Sequence, residues 1–186
     1  MRGYTQLVHE DETAEHASVI IRKACLSEGI HEEGLVLHSD NGSPMKGATM
    51  LATLQNLGIV PSLSRPSVSD DNPYSESLFR TLKYTPAYPS KPFGNLLEAQ
   101  KWVHQFVQWY NDEHCHSGIK YVTPDQRHQG LDKSLLAERK SVYEAAKKYN
   151  PARWSGQTWN WEPVMELWLN PTKVLHAERS LEPKAA

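Results

Sequence analysis

Two short stretches, LHSDNG at Leu37–Gly42 and DNPYSESLFRTLK at Asp71–Lys83, decide how the rest of the chain is read. The first closes an apolar run, Leu35 to Leu37, that predicts a buried strand, and it turns at Asn41-Gly42. Asp40 is therefore expected at a strand's carboxyl end, where functional groups gather in open α/β sheets. The second opens with Asn72 as a helix cap and Pro73 at the first helical position. Glu76, Arg80 and Lys83 then recur at i, i+4 and i+7 and share one helix face, with Glu76 and Lys83 about 10 Å apart along the axis. Positions 41 to 75, 35 residues, separate the two carboxylates.

Carboxylates from two separate elements can together hold hard divalent cations, since magnesium prefers oxygen ligands and keeps waters and substrate phosphates in its shell. Two such ions about 4 Å apart can activate an attacking hydroxyl and stabilise the leaving oxygen of a phosphodiester. Taken singly, Asp40 reads as a turn-closing residue and Glu76 as a solvated one. Only the pair makes a site.

Outward from this centre, Tyr4 to His9 alternate weakly and predict a short strand. Thr13 can cap a helix whose Ala17, Ile20, Ile21, Ala24 and Cys25 form one apolar face, with Gly29 ending it. Ser43 and Pro44 open a second helix with Met50, Leu51, Leu54 and Leu57 inward, closed by Gly58, and a short strand follows at Ile59–Leu63. Ser64 to Asp71 is Ser/Pro-rich and predicts a mobile loop. After breaks at Pro86, Pro89 and Pro92, a helix from about Asn95 to Asp112 buries Leu96, Ala99, Val103, Phe106, Val107 and Tyr110, with Trp102 and Trp109 as core or interface anchors. A short helix starts at TPDQRHQG, and a largely polar one runs from Ser134 to Tyr149. Residues 150–171 then hold four of the six tryptophans among turn residues, which predicts a small β-rich appendage.

The joint pattern resembles the D-35-E half of the catalytic core of retroviral integrases and bacterial insertion-sequence transposases. The resemblance extends through WYNDEHCHSGIKYVTPDQRHQG at Trp109–Gly130, and the tryptophan-rich tail looks like the carboxyl-terminal region of those transposases. It implies an α/β fold: a ribonuclease H-like mixed sheet flanked by helices, here lacking its first strand, with a small Trp-rich C-terminal appendage. The domains expected are a partial catalytic core at 1–130, a basic helix and Trp-rich region at 131–175 and a disordered tail at 176–186. The implied chemistry is strand cleavage and transfer at transposon ends with magnesium or manganese, Asp40 and Glu76 being the second and third catalytic, metal-binding carboxylates. Lys83 would contact DNA near the site, with Arg80 beside it, and Asn111 and His116 would contact DNA or brace the active-site side. The implied partners are transposon-end and target DNA and further copies of the chain, in the bacterial cytoplasm at the nucleoid.

Two departures qualify this expectation. Such enzymes need three carboxylates, the first several dozen residues before the second, yet only 39 residues precede Asp40 and MRGYTQLVHEDETAEHAS resembles the segment just after that first aspartate. Asp11 sits too near a turn to replace it, so the sequence implies a chain inactive by itself. His114 also stands where the YN..R.HSG segment has an arginine. The alternative is an inactive remnant that binds DNA or dimerises through its tail. A metal-dependent phosphatase built on Asp40 and Asn41 has no further matching motif.

The bulk numbers fit a globular domain. At 186 residues the chain can bury one core plus an appendage, and no apolar run of about eighteen residues suits a bilayer. No apolar leader opens the chain, and Cys25 and Cys115 are too far apart for a Cys-x-x-Cys motif. HCH at 114–116 is a poor zinc site, because neighbours at i and i+2 on a helix end point apart. The net charge of −2 does not announce nucleic acid, but between Leu131 and Trp161 six basic residues face three acidic ones. Within that run Lys147, Lys148 and Arg153 are candidate phosphate contacts, or else a solvated helix face.

Overall fold

The computed structural model describes residues 8–30, 34–65 and 71–166. Its chain divides into two compact units, residues 1–108 and 109–186.

The first unit begins with α1, Ala14–Ser27. Thr13 caps it as expected, its side chain accepting from the His16 amide at 3.2 Å, and Gly29 ends it at φ +62°. Strand β1, Val36–Ser39, follows, then α2, Ser43–Lys46, and α3, Ala48–Asn56, before strand β2, Val60–Leu63. The strands pair in parallel, Val36 opposite Val60 and Ser39 opposite Leu63, with the helices forming the crossover that parallel strands require. The expected α/β class is borne out.

Cys25, Met50, Leu54 and Ile59 form the core of this unit, packed against Ala14, Ala17, Ile21, Leu37, Met45 and Leu57. The predicted single helix after the Asn-Gly turn is broken in two at Gly47, which takes an extended conformation with ψ 145°. The reason is a close approach: a Cβ on Gly47 would lie 2.5 Å from the Cβ of Ala14. The break also rotates Leu51 outward, so that of its expected inner face only Met50 and Leu54 are buried and Leu57 is half-buried. Polar bonds finish the α1–α3 contact: Arg22 donates to the buried Thr53 hydroxyl at 2.9 Å and Thr49 to Glu15 at 2.8 Å.

Helix α4, Pro73–Tyr84, starts with Asn72 at its cap position, but the Asn72 side chain makes no capping bond; Pro73 at the first turn is as expected. Helix α5, Leu96–Asp112, runs across the division between the units. Trp102 anchors the proline-rich connection to it, donating to the Ala87 carbonyl at 2.9 Å and stacking on Phe106 at 5.7 Å.

The second unit contains α6, Pro124–His128, and α7, Asp132–Tyr149. A reciprocal capping box between Thr123 and Gln126 starts α6. Val122, Leu136 and Trp161 form the core, with Ile119 and Leu135 beside it. At the start of α7 the buried Asp132 accepts from Arg127, which also donates to the Val164 carbonyl and so ties α6, α7 and the last described stretch together.

The expected β-rich appendage is corrected: residues 150–166 contain a short 3-10 turn at Pro151–Arg153 and no strand. This stretch lies along α7, bonded to it through side chains, Lys140 with Glu162 at 2.8 Å and Thr158 with Glu144, rather than paired with a second strand. Most of the predicted Tyr4–His9 strand, Trp168 and the tail fall outside the described residues, and residues 8 and 9 form no strand.

Candidate functional site

Because β1 and β2 are parallel, their carboxyl ends emerge at the same edge of the sheet. Asp40 follows β1 there, and the loop leading to α4 and Glu76 follows β2. Both chain segments that carry the candidate carboxylates thus leave from one edge, the usual place for an α/β site.

Side chains stitch this edge. His38, two residues before Asp40, places Nδ1 3.0 Å from the Ser62 hydroxyl of β2 and Nε2 2.9 Å from the Asp71 carbonyl. A carbonyl only accepts, so Nε2 carries a proton there. Asn41 donates to the Ser64 carbonyl, and the Ser64 hydroxyl to the Ser39 carbonyl at 3.1 Å. The loop between β2 and α4 is closed at its ends: the buried Asp71 accepts from the Arg65 amide and Nε, each at 2.9 Å, and from a second guanidinium nitrogen at 2.8 Å. That fork holds the Arg65 guanidinium above its ordinary pKa, chiefly through the hydrogen bond and then through the charge of Asp71. His38, Arg65 and Asp71 therefore connect the Asp40 strand to the start of the Glu76 helix, and the sequence reading missed all three.

Asp40 itself is exposed. One oxygen accepts the Gly42 amide at 2.9 Å in a tight turn, and the other makes no hydrogen bond among the described residues. Gly42 matters here for space: a Cβ would meet that first oxygen at 3.0 Å. Glu76, Arg80 and Lys83 lie on α4 as expected, all exposed, with Glu76 in the first turn and Lys83 in the last. An acid at the amino end and a base at the carboxyl end complement the helix dipole, which is their bland role. No cluster of three or more metal-ligating side chains occurs among the described residues. Asp40 and Glu76 are both exposed carboxylates, an oxygen donor type suited to magnesium or manganese rather than to zinc.

In the second unit, Asn111 is buried and His116 half-buried. The His116 ring meets Tyr110 at 4.6 Å and His114 at 4.4 Å, and its buried Nε2 makes no hydrogen bond among the described residues. Burial, and then the neighbouring His114, push the imidazole pKa below its usual value. Lys147 and Lys148 sit in the last turn of α7 and Arg153 in the 3-10 turn beyond, Lys148 and Arg153 exposed and Lys147 donating to Gln157 at 2.9 Å.

Residues 57–124 match the family model of the integrase core domain. The chain is 31% identical over 94 residues to the transposase for insertion sequence element IS904 of Lactococcus lactis, covering 50% of this chain and 37% of that protein. It is 33% identical over 89 residues to the putative transposase InsK for insertion sequence element IS150 of Escherichia coli, covering 48% and 31%. An uncharacterized transposase-like protein of Haemophilus influenzae is 32% identical over 98 residues, covering 52% and 45%. The chain thus spans less than half the length of these relatives. Among solved structures, the catalytic core domain of BIV integrase aligns with a TM-score of 0.49 at 21% identity, covering 69% of this chain and 78% of that one. The likeness to integrase cores and insertion-sequence transposases agrees with the resemblance carried by the joint motifs from Leu37 to Gly130.

Proposed function

We propose that this chain, which carries an integrase core segment and is similar over about half its length to insertion-sequence transposases, is part of the catalytic core of a transposase. Its reaction is divalent-metal-dependent cleavage of a DNA phosphodiester at transposon ends and transfer of the resulting strand into target DNA. The observation that carries the reading is the stitched sheet edge, where His38 on the Asp40 strand bonds the backbone of Asp71 at the start of the Glu76 helix.

Asp40 and Glu76 would hold the metal, magnesium or manganese, which when bound would supply activation of the attacking hydroxyl and charge stabilisation at the phosphate. The Asp40 oxygen without a hydrogen bond is the one offered, while the Gly42 amide orients the carboxylate through the other. Lys83 and Arg80, on the face of α4 that bears Glu76, pair with backbone phosphates and hold the strand. Lys147, Lys148 and Arg153 contact further phosphates from the second unit, whereas Asn111 and His116, packed inward, fix the segment between α5 and α6. The protein works with DNA and with further copies of itself. No described helix is long and apolar enough to cross a membrane.

Paramagnetic manganese added during nuclear magnetic resonance tests the joint site. The ion is expected to broaden the amides of residues 40–42, 72 and 74–77 together, and Asp40→Asn or Glu76→Gln alone to remove both sets. Broadening of one set that survives loss of the other carboxylate would sink the proposal.

A further inference from the structure

The second unit contains a feature that metal chemistry does not use. Tyr121, Arg139, Tyr143, Trp159 and Trp161 line a cleft of about 390 Å³, within the usual ligand-cleft range of about 300 to 1,000 Å³. Trp161 is 7% exposed and belongs to the core, but Tyr121, Tyr143 and Trp159 keep 42%, 38% and 43% of their surface in solvent. The rings form a continuous run. Tyr121 stacks on Trp159 at 5.8 Å and 28°, Trp159 meets Trp161 at 5.7 Å, Trp161 meets Tyr143 at 5.1 Å, and Tyr143 meets Trp154 at 6.0 Å.

A second cleft, of about 430 Å³, lies at the Trp154 end, lined by Ala146, Tyr149, Asn150, Arg153 and Trp154. Each cleft therefore combines aromatic rings, at least one of them exposed, with one arginine. Arg139 is held in place: it donates to the Lys120 carbonyl at 2.7 Å and the Tyr121 carbonyl at 3.0 Å, and its guanidinium lies 5.8 Å from the Trp161 ring centre. Lys120 and Tyr121 are both left-handed, at φ 64° and 60°, which is costly for side chains of their size. Such strain persists only where surrounding contacts over-determine it, and it gathers at ligand sites. Here Arg139 supplies those contacts, and the constrained Tyr121 presents its ring on Trp159.

We infer that this aromatic run takes the unpaired bases of a DNA single strand, stacking them on Tyr121, Tyr143 and Trp159 while Arg153 holds the phosphates and Arg139, bonded to the Lys120 and Tyr121 carbonyls, adds positive charge beside the rings. Exposed rings alternating with cations are how single strands are gripped without reading their sequence, because every base has a stacking face. The arginines decide between occupants. A cationic ligand is repelled by them, and a proline-rich peptide, which also docks on aromatic grooves, gains nothing from them. The inference rests on the proposal that the protein works on DNA, and it adds strand state: this unit recognises DNA already opened.

The test compares the full chain with Trp159→Ala and Trp159→Phe, using fluorescence anisotropy of a labelled oligothymidylate strand and of a mixed-sequence duplex. Trp159 is exposed, and the Phe variant retains a ring, so lost stacking is separable from lost folding. Trp159→Ala is expected to weaken single-strand binding roughly tenfold, within the range typical of one stacked base, and to leave duplex binding unchanged. Trp159→Phe is expected to recover most of the loss. Equal losses on both DNAs, or unchanged single-strand binding, overturn the inference and leave the transposase reading standing. Failure of the unsubstituted chain to bind either DNA defeats both. Tight binding of a polyproline peptide, abolished by Trp159→Ala while DNA affinity stays put, assigns the cleft to peptide and also overturns the inference.

Discussion

At the scale of single residues, the parts of the candidate site that announce themselves are those whose chemistry is intrinsic. Asp40 and Glu76 are visible as letters because a carboxylate's use depends on its type and spacing. His38, Arg65 and Asp71 are not visible, since their role is to join segments and nothing in composition says that the two ends of a Ser/Pro loop meet. His116 lies between these cases. It packs against Tyr110 and His114, and only the structure shows that its buried Nε2 makes no hydrogen bond among the described residues. A depressed imidazole pKa means that the unfolded chain binds the proton more readily than the folded one. The neutral ring is therefore accommodated above the ordinary value of 6.5, and stability falls as pH drops from there through the lowered folded value. Urea denaturation from about pH 7.5 down to about pH 5.5 should show that fall, and His116→Gln should make the profile flatter. An unchanged slope in the variant would assign the pH dependence elsewhere.

At the scale of elements, periodicity located helices well and their interruptions poorly. Residues 43–57 carry an apolar pattern compatible with one helix, yet the chain breaks at Gly47 because α1 passes so close that only a hydrogen fits opposite Ala14. That constraint comes from tertiary packing and leaves no local signal beyond the glycine itself. The same logic governs residues 150–166: aromatic and turn residues suggested strands, but a strand needs a partner, and this stretch found α7 instead. Gly47→Ala should therefore destabilise the first unit by about 1 to 3 kcal/mol, the usual cost of forcing a methyl into a filled contact. Chemical denaturation followed by circular dichroism measures it. A variant as stable as the parent would show that α1 and α2 can separate without cost.

At the scale of the whole molecule, charge is arranged rather than accumulated. A net charge of −2 hides exposed carboxylates in one unit, Asp40 after β1 and Glu76 on α4, and a basic run along α7 in the other. Part of that run serves the fold. Arg139 holds the Lys120 and Tyr121 carbonyls, Lys140 pairs with Glu162, and Lys147 bonds Gln157. The last turn of α7 also favours cations through the helix dipole, whatever they contact. Lys148 and Arg153 have no such hydrogen bond among the described residues and remain exposed, which makes them the strongest phosphate candidates. Each phosphate contact releases condensed counterions, so the logarithm of the binding constant falls with the logarithm of salt by about 0.9 per contact on duplex DNA. Replacing Lys147, Lys148 and Arg153 together by alanine should reduce that slope by roughly two to three, and by about two if the Gln157 bond keeps Lys147 from the DNA. Anisotropy of a labelled duplex between about 50 and 200 mM salt reads the slope. A slope that the triple substitution leaves unchanged would return the run to a solvated helix face, and DNA binding would then rest on Arg80 and Lys83 in the other unit.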